Sequence, residues 1–202
     1  MVYRYDGTTW NAITGELELV GDSGSDNASW GIALSSRGDI LAVGIHEDDD
    51  GGTNAGKVVV YEYNKSTTSW DTKGTLLGSS LNEKFGAAID VNSDGSTIVV
   101  GAPHFRENNT RTYLGKVKVF KWDGSAYSLL GQELVGSDKY DYFGAQLSID
   151  SQGNTIAVMG PGHDADPGTN AAYFEKGRVR VYNYNETSTS WVQTPTSYDF
   201  DG

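Results

Sequence analysis

The chain has 202 residues, a formal net charge of −12 and no cysteine. That charge argues against a nucleic-acid partner, whose phosphates need a basic footprint, and the missing cysteines exclude disulfides and thiolate metal sites. Mean hydropathy is −0.45 and no apolar run approaches the ~18 residues of a membrane helix, so no membrane span is expected.

Taken in order, the chain shows short β-branched and aromatic runs between Gly, Asp, Asn and Ser clusters, with no sustained helical periodicity. Val2–Tyr5, the turn at Asp6-Gly7 and a run from Trp10 to Gly21 come first. Trp30-Gly31 then opens a unit of four runs: Gly31–Leu34, Ile40–Val43, Lys57–Tyr63 and Trp70–Gly78. Phe85-Gly86 opens a second, with Gly86–Val91, Ile98–Val100, Lys116–Trp122 and Tyr127–Gly136. Phe143-Gly144 opens a third, with Gly144–Ile149, Ile156–Met159, Arg178–Tyr184 and Trp191–Gly202. The aromatic-Gly pair thus recurs after 55 and then 58 residues, a period that marks a repeat architecture.

Within each unit the first two runs flank a tight turn, SSRGD, NSDGS or SQGN, with Gly where a positive φ is wanted. The second run is apolar on both faces, so both faces must be covered. The third runs at 116–122 and 178–184 alternate Lys or Arg with Val at their starts, which predicts one wet face. The expected fold is all-β. Residues 1–21 supply the last two strands of a preceding blade, and 22–78, 79–136 and 137–202 are three blades of four antiparallel strands, fourteen strands in all. Four-stranded sheets that are hydrophobic on both faces stack radially as a β-propeller. A propeller needs about 4–8 blades, so these three and a half are expected to form part of a longer polypeptide.

The middle unit, with Phe85-Gly86, the Asp94-Gly95 turn and Val99-Val100-Gly101-Ala102-Pro103, resembles FG-GAP repeats. These build the seven-bladed propeller of integrin α subunits and of many secreted microbial and algal proteins. The resemblance implies part of a seven-bladed propeller, an extracellular or cell-surface location, a role in adhesion, and a ligand face formed by the loops between second and third strands. Met1 is followed by VYRYDGTTW, which lacks the apolar core of a secretory signal; a secreted protein would carry its signal outside this sequence.

Four sets of residues carry candidate chemistry. Asp90, Asn92 and Asp94 before Gly95 place alternate oxygens around a turn, as a hard cation needs, and in integrin-type repeats this turn holds Ca²⁺. The further acid of that pattern is replaced here by Ile98, and a simple hairpin turn accounts for the same residues. Ca²⁺ is therefore the one cofactor considered. His46, His104 and His163 all follow the second run, 58 and 59 residues apart. With Asp48, Asp50, Arg106, Asp164 and Asp166 they occupy long polar loops, where function concentrates on rigid scaffolds; solvated acidic loops are the plainer reading. Sequons at Asn27, Asn64, Asn108 and Asn185 mark candidate glycosylation sites. Arg37-Gly38-Asp39 spells an adhesive tripeptide but occupies a turn that turn formers explain. Trp10, Trp70, Tyr127 and Trp191 recur at one position, as anchors of packing between blades would.

No G-x-S-x-G, H-E-x-x-H or P-loop occurs, and no carboxylate pair stands out for a glycosidase. The expected function is non-enzymatic extracellular recognition or adhesion, with a protein or glycan partner bound through these loops and neighbouring blades from the same or another chain. The alternatives are a structural subunit of an extracellular filament, appendage or particle surface and, more distantly, a glycoside hydrolase.

Overall fold

A computed structural model describes residues 2–12, 28–107, 112–162 and 177–194. A hairpin, β1 (Tyr3–Tyr5) and β2 (Trp10–Ala12), forms a sheet of its own. Its turn is closed by Asp6, whose Oδ1 accepts from the amides of Thr8 and Thr9, a local bond that lets the residue replace a backbone turn contact.

Three blades follow. Blade I is β3 (Ala28–Leu34), β4 (Ile40–Ile45), β5 (Lys57–Asn64) and β6 (Ser69–Leu77), antiparallel and in sequence order. Blade II is β7 (Ala88–Val91), β8 (Thr97–Ala102), β9 (Lys116–Trp122) and β10 (Tyr127–Leu129), with β11 (Leu134–Val135) also paired to β9. Blade III is β12 (Gln146–Ile149), β13 (Thr155–Gly160), β14 (Arg178–Asn185) and β15 (Ser190–Gln193). The chain is built of β-propeller blades, as the runs predicted. One difference lies in blade II, where the fourth run breaks into two strands, giving fifteen strands among the described residues rather than fourteen. The break falls at Gly131, which has φ +76°, a left-handed conformation that ends regular pairing.

The second strands explain the stacking. All six residues of β4 and of β8 are buried. On β8, Ile98, Val100 and Ala102 pack with Ala33, Ile40, Ala42, Val58 and Val60 of blade I. Val99, from the opposite face, packs with Ile156, Val158, Tyr182 and Trp191 of blade III. Each such side chain contributes about 1.5–3 kcal/mol when fully buried, so the contacts on both faces of β8 hold blade II between its two neighbours. Trp70, with Leu41 and Val43, forms a third cluster covered in part by Val2, which brings the leading hairpin onto blade I. Tyr127 packs against the blade I cluster. Trp191 donates its indole N–H to Leu130 O of blade II at 2.9 Å. These fourth-strand aromatics therefore join blades, whereas Trp10 is 69% exposed.

The aromatic-Gly motif has a steric cause. Gly86 and Gly144 hold φ near +90° and lie against Gly44 and Gly101 of the preceding blade. A Cβ on Gly44 would stand 2.0 Å from Gly86 O, and one on Gly101 2.1 Å from Gly144 O. Only paired glycines allow two blades so close.

Two expectations are corrected. The predicted wet face on the third strands is dry: Lys116 is 1% exposed, Lys118 8% and Arg180 6%. Each cation is compensated by an acid from outside its strand. Lys116 Nζ lies 2.8 Å from Glu83 Oε2 and Lys118 Nζ 3.1 Å from Glu133 Oε1, while an Arg180 guanidinium nitrogen lies 3.7 Å from Asp141 Oδ2. Alternation cannot distinguish water from another segment of the chain, a linker or the blade's own fourth run, that brings a carboxylate. The second correction concerns Trp30, which is not the counterpart of Phe85 and Phe143. Those rings are 0% and 1% exposed, whereas Trp30 is 73% exposed on β3 beside Ile32 at 63% and Leu34 at 49%; the blade II counterparts of these two, Ile89 and Val91, are covered by blade I, and among the described residues no four-stranded blade precedes blade I.

Candidate functional site

The loops between second and third strands are held by the linkers between blades. Gly78 N–H donates to Gly56 O and Phe85 N–H to Ala55 O in blade I, while Gly86 N–H reaches Gly101 O in blade II. The next linker repeats the pattern: Gly136 N–H donates to Gly115 O, Phe143 N–H to Leu114 O and Gly144 N–H to Met159 O. In both linkers the residues one and three before the aromatic take left-handed backbone, Lys84 and Asn82 at +58° and +56°, Tyr142 and Tyr140 at +49° and +64°. Such conformations at non-glycine residues cost roughly 1–3 kcal/mol each and persist where surrounding bonds enforce them. They aim Glu83 inward to Lys116 and turn Lys84 toward a cleft between blades I and II.

That cleft has a volume of about 220 Å³ and is lined by Trp30, His46, Glu47, Lys84, Ala87, Pro103 and His104. The exposed indole of Trp30 stacks on the buried imidazole of His46, with centroids 4.5 Å apart and planes at 22°. Lys84 Nζ is ion-paired with Glu47 Oε1. Burial holds the His104 imidazole below its ordinary pKa, helped by the charges of Lys84, Arg106 and His46 and opposed by Glu47. At neutral pH His104 is therefore uncharged, with one nitrogen to donate and one to accept.

Beyond His104 lies an aromatic group between blades II and III. Tyr113 stacks on Tyr142 with centroids 5.2 Å apart and planes at 20°. His104 meets Tyr142 edge-on at 5.8 Å and Tyr113 at 4.9 Å. The Arg106 guanidinium sits 4.2 Å above the Tyr113 ring and donates to its hydroxyl. Tyr140 is 46% exposed beside it. Together these residues make a surface of rings interrupted by groups that both donate and accept hydrogen bonds.

Several sequence candidates fall here and others do not. His46 and His104 meet in the cleft and Arg106 lies next to it. Asp48 is turned inside instead: it is 2% exposed and its Oδ2 is 2.6 Å from Lys57 Nζ, with Asp50 Oδ2 at 2.9 Å from the same nitrogen. These two acids clamp their own loop. Asp90, Asn92 and Asp94 have separate duties rather than one centre. Asp90 Oδ2 accepts from Ile149 N–H and Ser148 Oγ of blade III, Asn92 Oδ1 accepts from Thr97 N–H, and Asp94 Oδ1 accepts from Ser96 N–H. Among the described residues no three His, Asp or Glu side chains group as a metal site. Arg37-Gly38-Asp39 is a hairpin turn, with Asp39 Oδ1 accepting from Ser35 Oγ. Asn64 and Asn185 each cap an equivalent hairpin turn, their Oδ1 accepting amides two and three residues on. His163, Asp164, Asp166, Asn27 and Asn108 lie outside the described residues.

Trp30, Glu47, Lys84, Tyr113, Tyr140 and Tyr142 were not singled out by sequence. The signal was present in part: NEKFG and YDYFG align residue for residue before each aromatic-Gly pair, so Lys84 and Tyr142 are counterparts. Trp30 was hidden because its motif resembled the buried one.

The sequence matches no protein-family model and no curated protein significantly. The fold is similar to the crystal structure of Saccharomyces cerevisiae Sqt1, a β-propeller, with a TM-score of 0.52 at 14% identity over 87% of this chain. The match covers 36% of the Sqt1 chain, so this chain spans about a third of that protein. At such identity the likeness shows the fold alone. Among the described residues no helix is long and apolar enough to cross a membrane.

Proposed function

We propose that this chain is part of a non-enzymatic recognition module that holds a partner on the face carrying the loops between second and third strands. The observation that carries the reading is the cleft itself: His46 and His104, far apart in sequence, line one recess beside an indole that is 73% exposed. Among the described residues the cleft lining includes a single carboxylate, Glu47, already engaged by Lys84. Glycoside hydrolysis uses two, and the recognition reading needs no catalytic pair. The resemblance of Phe85 to Pro103 to FG-GAP repeats supports the same face, an extracellular setting and an adhesive role.

The test is a binding screen of the purified chain against glycans and extracellular proteins, repeated with Trp30→Ala, His104→Ala and a control at the opposite hairpins, Asn64→Ala. A partner lost with the first two variants and kept by the control is the expected result. A partner that tolerates both cleft variants would move the binding surface elsewhere and end this assignment.

A further inference from the structure

The two grooves between blades are built on equivalent positions but are filled differently. Between blades II and III, the ring of Tyr142 lies stacked on Tyr113 and edge-on to His104. Between blades I and II, the counterpart of Tyr142 is Lys84, the counterpart of Tyr113 is Asn54, and the counterpart of His104 is His46. The backbone bonds confirm the register, since Tyr142 N–H reaches Tyr113 O as Lys84 N–H reaches Asn54 O. One groove thus contains a six-membered ring supplied by the protein. The other is an open cleft of about 220 Å³ with an indole at its mouth.

The chemistry of the open groove narrows what fits. A flat apolar ring would be served by Trp30 and Ala87 but would leave the polar side chains of Glu47, Lys84 and His104 facing it without use. A strongly charged group would meet an ion pair already compensated, Glu47 against Lys84, and a neutral imidazole. A ring bearing hydroxyls satisfies both halves. Its C–H face packs on the indole, and each hydroxyl finds an acceptor in Glu47 and a donor in Lys84 or His104.

We infer that the cleft lined by Trp30, His46, Glu47, Lys84 and His104 binds a neutral pyranose residue of a glycan. The inference rests on the recognition reading above and names its ligand class. Lys84→Tyr is the discriminating variant. It installs the ring that the neighbouring groove already has, at a backbone position where Tyr142 adopts the same left-handed conformation, so it plugs the cleft while the fold is kept.

The experiment is saturation-transfer NMR and tryptophan fluorescence with methyl glycosides of the common neutral hexoses and N-acetylhexosamines, at up to about 50 mM, since single-sugar affinities near 1 mM correspond to about −4 kcal/mol. Wild type is expected to bind at least one. Trp30→Ala, an exposed position, is expected to weaken it about tenfold or more, and Lys84→Tyr to abolish it, with thermal melts unchanged. Absence of binding by every sugar, or binding that survives Lys84→Tyr, overturns the inference. N-acetyltyrosinamide is run in parallel. If it binds in a Trp30-dependent way and no sugar does, the pyranose assignment fails while the recognition reading stands. If a partner from the screen binds without dependence on Trp30 and His104, the recognition reading fails as well.

Discussion

Replacing Lys116 with Met should be far more damaging than its place on an alternating strand suggests. Lys116 Nζ lies 2.8 Å from Glu83 Oε2, with the two side chains 2% and 0% exposed, and Glu133 Oε2 stands 3.6 Å away. At an effective dielectric near 20 the gross attraction of such a pair is about 6 kcal/mol, most of it offset by the cost of removing both charges from water. Removing one partner cancels the attraction and leaves the other charge buried, a net loss of about 3–5 kcal/mol. The paired change Lys116→Met with Glu83→Gln removes both charges and keeps an acceptor for Ser79 N–H, which now donates to Glu83 Oε1 at 2.6 Å. It should return to within about 1 kcal/mol of wild type. Lys73→Met is the control, because its partner Glu62 is 53% exposed and exposed pairs contribute about 0–1 kcal/mol. Urea unfolding followed by tryptophan fluorescence and circular dichroism gives all three values. A loss under about 1 kcal/mol for Lys116→Met, or no recovery in the double variant, would refute the claim that linker acids neutralise cations trapped between blades.

Gly101→Ala should open the seam between blades II and III, since its Cβ would lie 2.1 Å from the backbone oxygen of Gly144. Overpacking against main chain costs about 1–3 kcal/mol or more, and a melting temperature lowered by about 5–10 °C is expected; an unchanged melt would show that the blades yield freely. Burial raises the phenol pKa of Tyr61, Tyr127 and Tyr182. A raised value favours the neutral folded form, so this stability is complete below the ordinary tyrosine pKa near 10 and is lost as pH climbs through the folded values. Tyrosinate absorbance should therefore rise in two stages, the later one with loss of the β-sheet dichroism. A single stage near pH 10 for all tyrosines with the fold intact would contradict it.

How much of this was legible beforehand differs from residue to residue. The strands were legible because Ile40–Val43, Ile98–Val100 and Ile156–Met159 are short apolar runs bounded by turn chemistry, and the turn glycines Gly38, Gly95 and Gly153 do take positive φ. The repeat of aromatic-Gly fixed the order of the blades, since a strand greasy on both faces admits few arrangements. His46 and His104 were found because they recur at one point of that repeat.

The linear chain therefore determined the strands, their grouping in fours and the need for neighbours, all of which depend on local periodicity. Only the tertiary structure decided which side chains face water. Lys116 and Lys118 look solvated until Glu83 and Glu133 arrive from other segments, and Trp30 looks equivalent to Phe85 and Phe143 although it is exposed on β3 and they are buried. Nor does spacing reveal that one groove is filled by Tyr142 while its twin is open at Lys84. The physical reason is that burial and charge compensation are sums over everything nearby in space, and a propeller brings its linkers, loops and strands together from distant parts of the chain.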